Sequence, residues 1–193
     1  MTDKNNDGKL AIPPTLLPHL QRTPSDPRPV VLMTCGLAGT GKTTLVQAVL
    51  NRFPHFTRIS IDDIIFRAHG LYGTDYPASP SLYAQYNDEA DQIYLSTFRA
   101  LLAGGKDIAF ERSCYAREDR VEWRRIAEEG GARVVLVYLR AREKEVLWER
   151  ICRRGEGVKT ADNALEIGRG TFEGYWEGFE GPEGEGEVLV DVV

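Results

Sequence analysis

Gly36-Leu37-Ala38-Gly39-Thr40-Gly41-Lys42-Thr43-Thr44 decides how the rest of this chain is read. An apolar run, Val30-Val31-Leu32-Met33, precedes it and reads as a buried strand. Thr43 to Phe53 follows, with Leu45, Val46, Val49, Leu50 and Phe53 on one helical face until Pro54 stops the helix. Glycines in such a strand-to-helix turn permit positive φ angles and let backbone N–H groups close around a chain of phosphates, which the helix N-terminus also attracts. Gly36, Ala38, Gly39, Thr40, Gly41, Lys42, Thr43 and Thr44 are therefore the candidate nucleotide-binding residues. Lys42 is placed to reach the β- and γ-phosphates and the Thr43 hydroxyl to ligate Mg²⁺, as in a Walker A loop. A glycine-rich turn with an incidental lysine is the alternative, and the strand and helix on either side argue against it.

Outward from the loop, strands and helices alternate. Phe56 to Ile61 reads as a second strand, ending on Asp62-Asp63 and a Gly/Pro/Tyr-rich loop through Ser79. Ser79-Pro80 is a cap followed by a proline at the first helical position, opening a long helix to Ala103. Asp107 to Phe110 is a third strand, Arg117 to Glu129 a helix, Arg133 to Leu139 a fourth strand and Arg142 to Arg154 a helix. Gly155 to Thr160 follows as a polar loop, then a glycine-interrupted helix from Asp162 to about Phe179 and a last strand, Glu187 to Val192. Such alternation implies an α/β domain, a parallel sheet with helices on both faces. Residues 1–29 hold six of the ten prolines and lack apolar periodicity, so they read as a flexible leader to a single domain over 30–193, although Leu16, Leu17 and Leu20 could pack on it.

The balance of charge narrows the partners. The net charge is −5, with twelve Lys/Arg against nine Asp/Glu over 111–154 and two against ten over 155–193. A protein that grips long nucleic acid draws its affinity from a basic surplus, which is missing here. Cys35, Cys114 and Cys152 are odd in number and far apart, which suits reduced thiols and implies no zinc. The longest apolar stretch, Val134 to Leu139, is far too short to span a bilayer, and the expectation is a soluble cytoplasmic protein.

Ligands of such sheets bind beyond the carboxyl ends of the strands. After the second strand stand Asp62 and Asp63, of which Asp62 can accept the proton of an attacking hydroxyl and Asp63 is equally a helix cap. After the third stands Glu111, a candidate for the Mg²⁺ shell with Thr43, or else a surface partner of Arg112. Arg150, Arg153 and Arg154 end a helix before Gly155-Glu156-Gly157-Val158-Lys159, a loop suited to a short lid that swings guanidinium groups onto a transferring phosphate. Arg117 and Arg120 point at the same edge from the other side.

In order, Gly-x-x-Gly-x-Gly-Lys-Thr-Thr, Ile59-Ser60-Ile61-Asp62-Asp63, Phe110-Glu111-Arg112-Ser113, Arg117-Glu118-Asp119-Arg120 and Glu149-Arg150-x-x-Arg153-Arg154-Gly155 resemble the P-loop kinases of the AAA-domain or zeta-toxin-like group, which includes polynucleotide kinase and chloramphenicol phosphotransferase. The resemblance covers about residues 30–192. It implies a P-loop NTPase three-layer sandwich, a five-stranded parallel sheet of order 2-3-1-4-5, ATP and Mg²⁺ as cofactors, and phosphorylation of a hydroxyl. By position it assigns Lys42 and Thr43 to the Walker residues, Asp62 to the acceptor-binding carboxylate and Arg154 to the lid. Many relatives carry Asp where this chain has Glu111. Polynucleotide kinases carry Arg where it has Ile65, with only Arg67 nearby, which argues against a nucleic-acid 5′-end kinase. The features of a ring ATPase, a sensor arginine and a helical subdomain, are missing.

The resulting expectation is an ATP-dependent kinase of a small-molecule or nucleoside-type acceptor. Lys42, Asp62, Arg150 and Arg154 would be catalytic, and Asp62, Asp63, Arg67, Tyr83, Arg112 and Arg117 would meet the acceptor. Tyr72 and Tyr76 are further candidate contacts. A nucleotide-gated binding protein with slow or no hydrolysis is the competing expectation.

Overall fold

A computed structural model describes residues 12–163, 165 and 167–192. Five strands, β1 (Val30–Cys35), β2 (Phe56–Ser60), β3 (Asp107–Glu111), β4 (Arg133–Ala141) and β5 (Val188–Val192), form one parallel sheet in the order β2-β3-β1-β4-β5. Val31 lies opposite both Ile108 of β3 and Val134 of β4, which puts the loop after β1 between two neighbouring strand ends. This is the sheet order that the resemblance implied, and the fold is that of a P-loop NTPase.

All six residues of β1 are buried, as a central strand with helices on both faces requires. Their alternation divides the core. Val30 and Leu32 pack with Leu45, Val46 and Val49 of α1 (Lys42–Arg52). Val31, Met33 and Cys35 pack on the other face against Tyr94, Phe98 and Leu102 of α3 (Pro80–Ala103) and Ile126 of α4 (Arg117–Glu129). Between α1 and α3 the chain makes α2 (Ile61–His69), and after β4 come α5 (Lys144–Gly155) and α6 (Arg169–Glu177).

Three expectations change. Residues 64–69 are helix rather than loop: β2 runs straight into α2, whose apolar side chains at 61, 64, 65 and 68 recur at helical spacing. The expected helix from Asp162 to Phe179 is a 3₁₀ turn, Ala161–Asn163, and then α6, because Gly168 stands at the N-cap in an extended conformation.

Nor are residues 12–29 a flexible leader, while 1–11 lie outside the described residues. Leu16 and Leu20 are fully buried in the cluster formed by Val30, Leu32 and α1. Arg22 Nε donates to both Asp107 carboxylate oxygens at 3.0 and 3.2 Å, and the Val30 N–H donates to Asp107 Oδ1 at 2.6 Å, so one buried carboxylate ties this segment to two strands. Leu16→Ala is expected to cost about 2–5 kcal/mol of unfolding free energy, measured by urea denaturation. A loss within error would mean that the segment is only laid against the domain.

Candidate active site

The loop after β1 takes its shape from two side-chain-free positions. Gly36 has φ +146°, and a Cβ there would stand 2.7 Å from the Leu139 carbonyl oxygen and 2.9 Å from Thr40 Oγ1. Gly41, at φ +92°, is the N-cap of α1 and offers no capping side chain, so the first N–H groups of the helix remain available to an anion. Thr40 is buried behind the loop and its hydroxyl donates to Leu37 O at 2.8 Å. Gly36 and Thr40 thus shape the loop, whereas Ala38, Gly39, Gly41, Lys42, Thr43 and Thr44 line a cavity of about 820 Å³. Lys42 Nζ donates to the carbonyls of Gly36 and Leu37 at 2.8 and 2.9 Å. Burial lowers the Lys42 pKa, against the pull of Glu111 and Asp62.

Glu111 does not pair with Arg112. Buried at the end of β3, it accepts a hydrogen bond from the Thr43 hydroxyl through Oε1 and from Arg58 Nε, at 2.7 Å, through Oε2. Arg58 in turn donates to Asp162 Oδ1 at 2.6 Å. Burial disfavours the Arg58 charge, but the two carboxylates outweigh it and hold its pKa above the ordinary arginine value. The chain Thr43–Glu111–Arg58–Asp162 links the phosphate loop to the 3₁₀ turn beyond the segment expected to be the lid. Neither Arg58 nor Asp162 was expected. An arginine in the middle of a short edge strand is unremarkable by itself, and its partner lies 104 residues away.

A hydroxyl and a carboxylate that converge are the hard oxygen donors a Mg²⁺ bound mainly through nucleotide phosphates requires. Among the described residues no three His, Cys, Asp or Glu side chains cluster as a metal site.

Asp62, in the first turn of α2, lines the same cavity and is open to its solvent. The walls around it, and then Glu111 and Asp162, disfavour its charge more than Lys42 and Arg154 favour it, and its pKa is pushed up to about 6. Arg150 and Arg154 line the cavity from α5, and Arg150 lies 3.5 Å from the Gly39 carbonyl oxygen.

The other expected acceptor residues divide. Arg112 lines the cavity, with Nη1 donating to Asp91 Oδ1 at 2.6 Å. Tyr83 does not line the cavity: it stands edge-on to Tyr72, and burial followed by Asp62 raises its pKa. Asp63 and Arg67 do not meet the cavity. They pair with each other one turn apart on α2 at 2.9 Å, and Arg67 is 77 % exposed. Arg117 is exposed, its backbone N–H donating to Glu180 Oε2 at 2.7 Å. Arg120 is buried and structural. It donates to both Glu185 carboxylate oxygens at 2.8 and 2.7 Å and to Cys114 O at 3.0 Å, fixing the turn after β3 where Cys114 has φ +46°. Asn87, Tyr115 and Tyr175, which the sequence did not single out, also line the cavity.

The family model described as "AAA domain" matches residues 31–181. The chain belongs to this AAA-domain family. No curated protein sequence matches the chain. Among solved structures, a protein of Chloroflexus aurantiacus J-10-fl, assigned only provisionally as a kinase, is 19 % identical with a TM-score of 0.67, covering 84 % of this chain and 88 % of that one. A gluconokinase from Sinorhizobium meliloti 1021 is 20 % identical with a TM-score of 0.54, covering 90 % and 85 %. The Pnkp1/Rnl/Hen1 RNA repair complex contains a chain 20 % identical with a TM-score of 0.55, covering 79 % of this chain and 47 % of that one. At such identities the likeness is one of fold. Among the described residues no helix is long and apolar enough to cross a membrane.

Proposed function

We propose that this AAA-domain protein is a cytoplasmic, ATP-dependent phosphotransferase that moves the γ-phosphate to a hydroxyl of a small molecule. The observation that carries the reading is Asp62: a carboxylate with a pKa near 6, in the same cavity as Lys42, Thr43 and Arg154. Holding nucleotide needs the loop, Lys42 and the helix N-terminus. It does not need a carboxylate facing the phosphates, whose ionised form meets repulsion from Glu111 and Asp162. A group with a pKa near the working pH is, however, what accepts a proton from an attacking alcohol efficiently.

Mg²⁺ held by Thr43 and Glu111 would neutralise charge on the phosphates. The backbone of residues 38–43 holds and orients those phosphates, and Lys42 draws them into the loop. Asp62 holds the acceptor hydroxyl and takes its proton as the new O–P bond forms, while the bond from the γ-phosphorus to the β,γ-bridging oxygen breaks and ADP leaves with its electron pair. Arg154, which makes no ion pair among the described residues, supplies charge to the equatorial oxygens, with Arg150 beside it.

The test is transfer of labelled γ-phosphate from ATP to a metabolite library, followed by the same assay with Arg154→Ala. Transfer to at least one alcohol is expected, with kcat lowered by one to three orders of magnitude in the variant and ATP affinity changed by less than about tenfold. Nucleotide binding without transfer to any acceptor would favour the nucleotide-gated binding protein.

A further inference from the structure

The walls of the cavity divide by charge. Beside the loop stand Lys42, bonded to the Gly36 and Leu37 carbonyls, and Arg150, 3.5 Å from the Gly39 carbonyl oxygen, with Arg154 lining the same cavity from α5. The charged side chains that line the rest of the cavity are Asp62, Glu111, Arg112 and Asp162, and of these Asp62 alone makes no ion pair among the described residues.

The Arg112 charge is answered from within the protein. Its Nη1 donates to Asp91 Oδ1 at 2.6 Å, and its guanidinium lies 5.0 Å from the centroid of the Tyr94 ring and 5.2 Å from that of Trp123. A guanidinium that is ion-paired and faces two aromatic rings offers hydrogen bonds but little net positive potential. Asp62 makes no ion pair among the described residues: the cations that favour its charge are Lys42 and Arg154, which a bound nucleotide would engage, and the acids that oppose it, Glu111 and Asp162, are held by Arg58. Elsewhere the cavity lining is polar without charge at Asn87, aromatic at Tyr115 and Tyr175, and apolar at Leu165 and Ile167. Tyr115 is held in place by its hydroxyl, which donates to Gly174 O at 3.3 Å, and by Phe179, whose ring centroid lies 5.7 Å away.

From this division we infer that the acceptor is an alcohol without an anionic group, neutral or amine-bearing, that offers a ring or other apolar face to Tyr115 and Tyr175. The inference rests on the phosphotransfer reading and names its substrate class. A carboxylate or phosphate on the acceptor would sit against Asp62, with Lys42 and Arg154 committed to the nucleotide and Arg112 to Asp91. A neutral ring instead finds aromatic faces for its apolar side, and Asn87 and the Arg112 donors for its hydroxyls.

Matched acceptors test it: glucose against gluconate, ethanolamine against glycolate, and a nucleoside against its 3′-monophosphate, each with labelled ATP and Mg²⁺. The neutral or amine-bearing member of at least one pair is expected to have a kcat/KM tenfold or more above its anionic partner. Asp91→Asn frees the Arg112 charge, so the same ratio should fall at least fivefold through a lower KM for the anion, while Asp91→Glu restores it. Asp91 is a positioning residue on a solvent-facing part of α3, and a melting curve like that of wild type checks the fold of the variant. Preference for the anionic members by the wild-type protein would overturn the inference and leave the phosphotransfer reading standing. So would a ratio unmoved by Asp91→Asn. Absence of transfer to every member, with nucleotide bound, would overturn both.

Discussion

Asp62→Asn is expected to lower phosphoryl transfer by roughly 10²–10⁴ while leaving ATP affinity within about tenfold, the usual worth of a positioned general base. The substitution keeps the shape of the side chain and one of its acceptor oxygens, so an acceptor hydroxyl can still be held. What it removes is the ability to take the proton. The wild-type carboxyl, near pKa 6, also sets the sign of the pH dependence. kcat/KM should rise with pH through about 6 as Asp62 ionises, and this limb should vanish in the variant. The groups facing Asp62 decide where the limb lies: its enclosure, Glu111 and Asp162 push it up, Lys42 and Arg154 pull it down. Transfer by Asp62→Asn at the wild-type rate would remove Asp62 from the chemistry.

The same substitution is expected to stabilise the fold. A carboxyl whose pKa is raised on folding contributes stability that is present below its unfolded value near 4 and is lost as pH rises through about 6. A rise from 3.8 to about 6 corresponds to about 3 kcal/mol in a site closed to water. Asp62 is open to the solvent of the cavity, so screening reduces this to about 1 kcal/mol. Asp62→Asn should therefore melt higher than wild type at pH 8 and alike at pH 4. A variant more active and less stable at pH 8 would contradict both halves of the argument, since the site would then be storing no electrostatic cost for function.

What the sequence discloses about this protein follows the range of its interactions. The phosphate loop is legible because its geometry is local: Gly36 and Gly41 stand where the chain needs conformations other residues avoid, and Lys42 and Thr43 follow at fixed spacing. Asp62 is legible because a strand end locates it. The Arg58–Asp162 contact is not legible, since it depends on the chain returning across the sheet edge after more than a hundred residues. The exclusion of Arg67 and Arg117 from the cavity is likewise a matter of helix phase. Arg67 lies one turn past Asp63 and is spent on it, and Arg117 opens α4 on the solvent side. Proline-rich composition misled at residues 12–29, where the apolar contacts of Leu16 and Leu20 and one buried carboxylate, Asp107, outweigh the lack of periodicity.

Lys42→Met should abolish most nucleotide binding and yet leave the ligand-free fold as stable as before, or more so. In the free protein the ammonium is partly enclosed, and burial lowers its pKa below that of an exposed lysine, so its charge is held at a cost that two loop carbonyls only partly offset. Methionine keeps the length and apolar stem without the charge, at the loss of those two hydrogen bonds. Nucleotide reverses the balance, because the phosphate charge that the loop attracts is what the ammonium answers. Losing that charge-assisted contact costs about 3 kcal/mol, a factor of more than a hundred in affinity. The two effects separate in one experiment. Without ligand, thermal melting of wild type and Lys42→Met should agree to within a few degrees. With millimolar Mg²⁺-ATP, wild type alone should shift upward, since ligand that binds only the native state stabilises it by mass action. An equal shift in both proteins would mean that nucleotide binds elsewhere than on this loop. A variant that melts far below wild type without ligand would mean that Lys42 holds the loop together more than it holds phosphate.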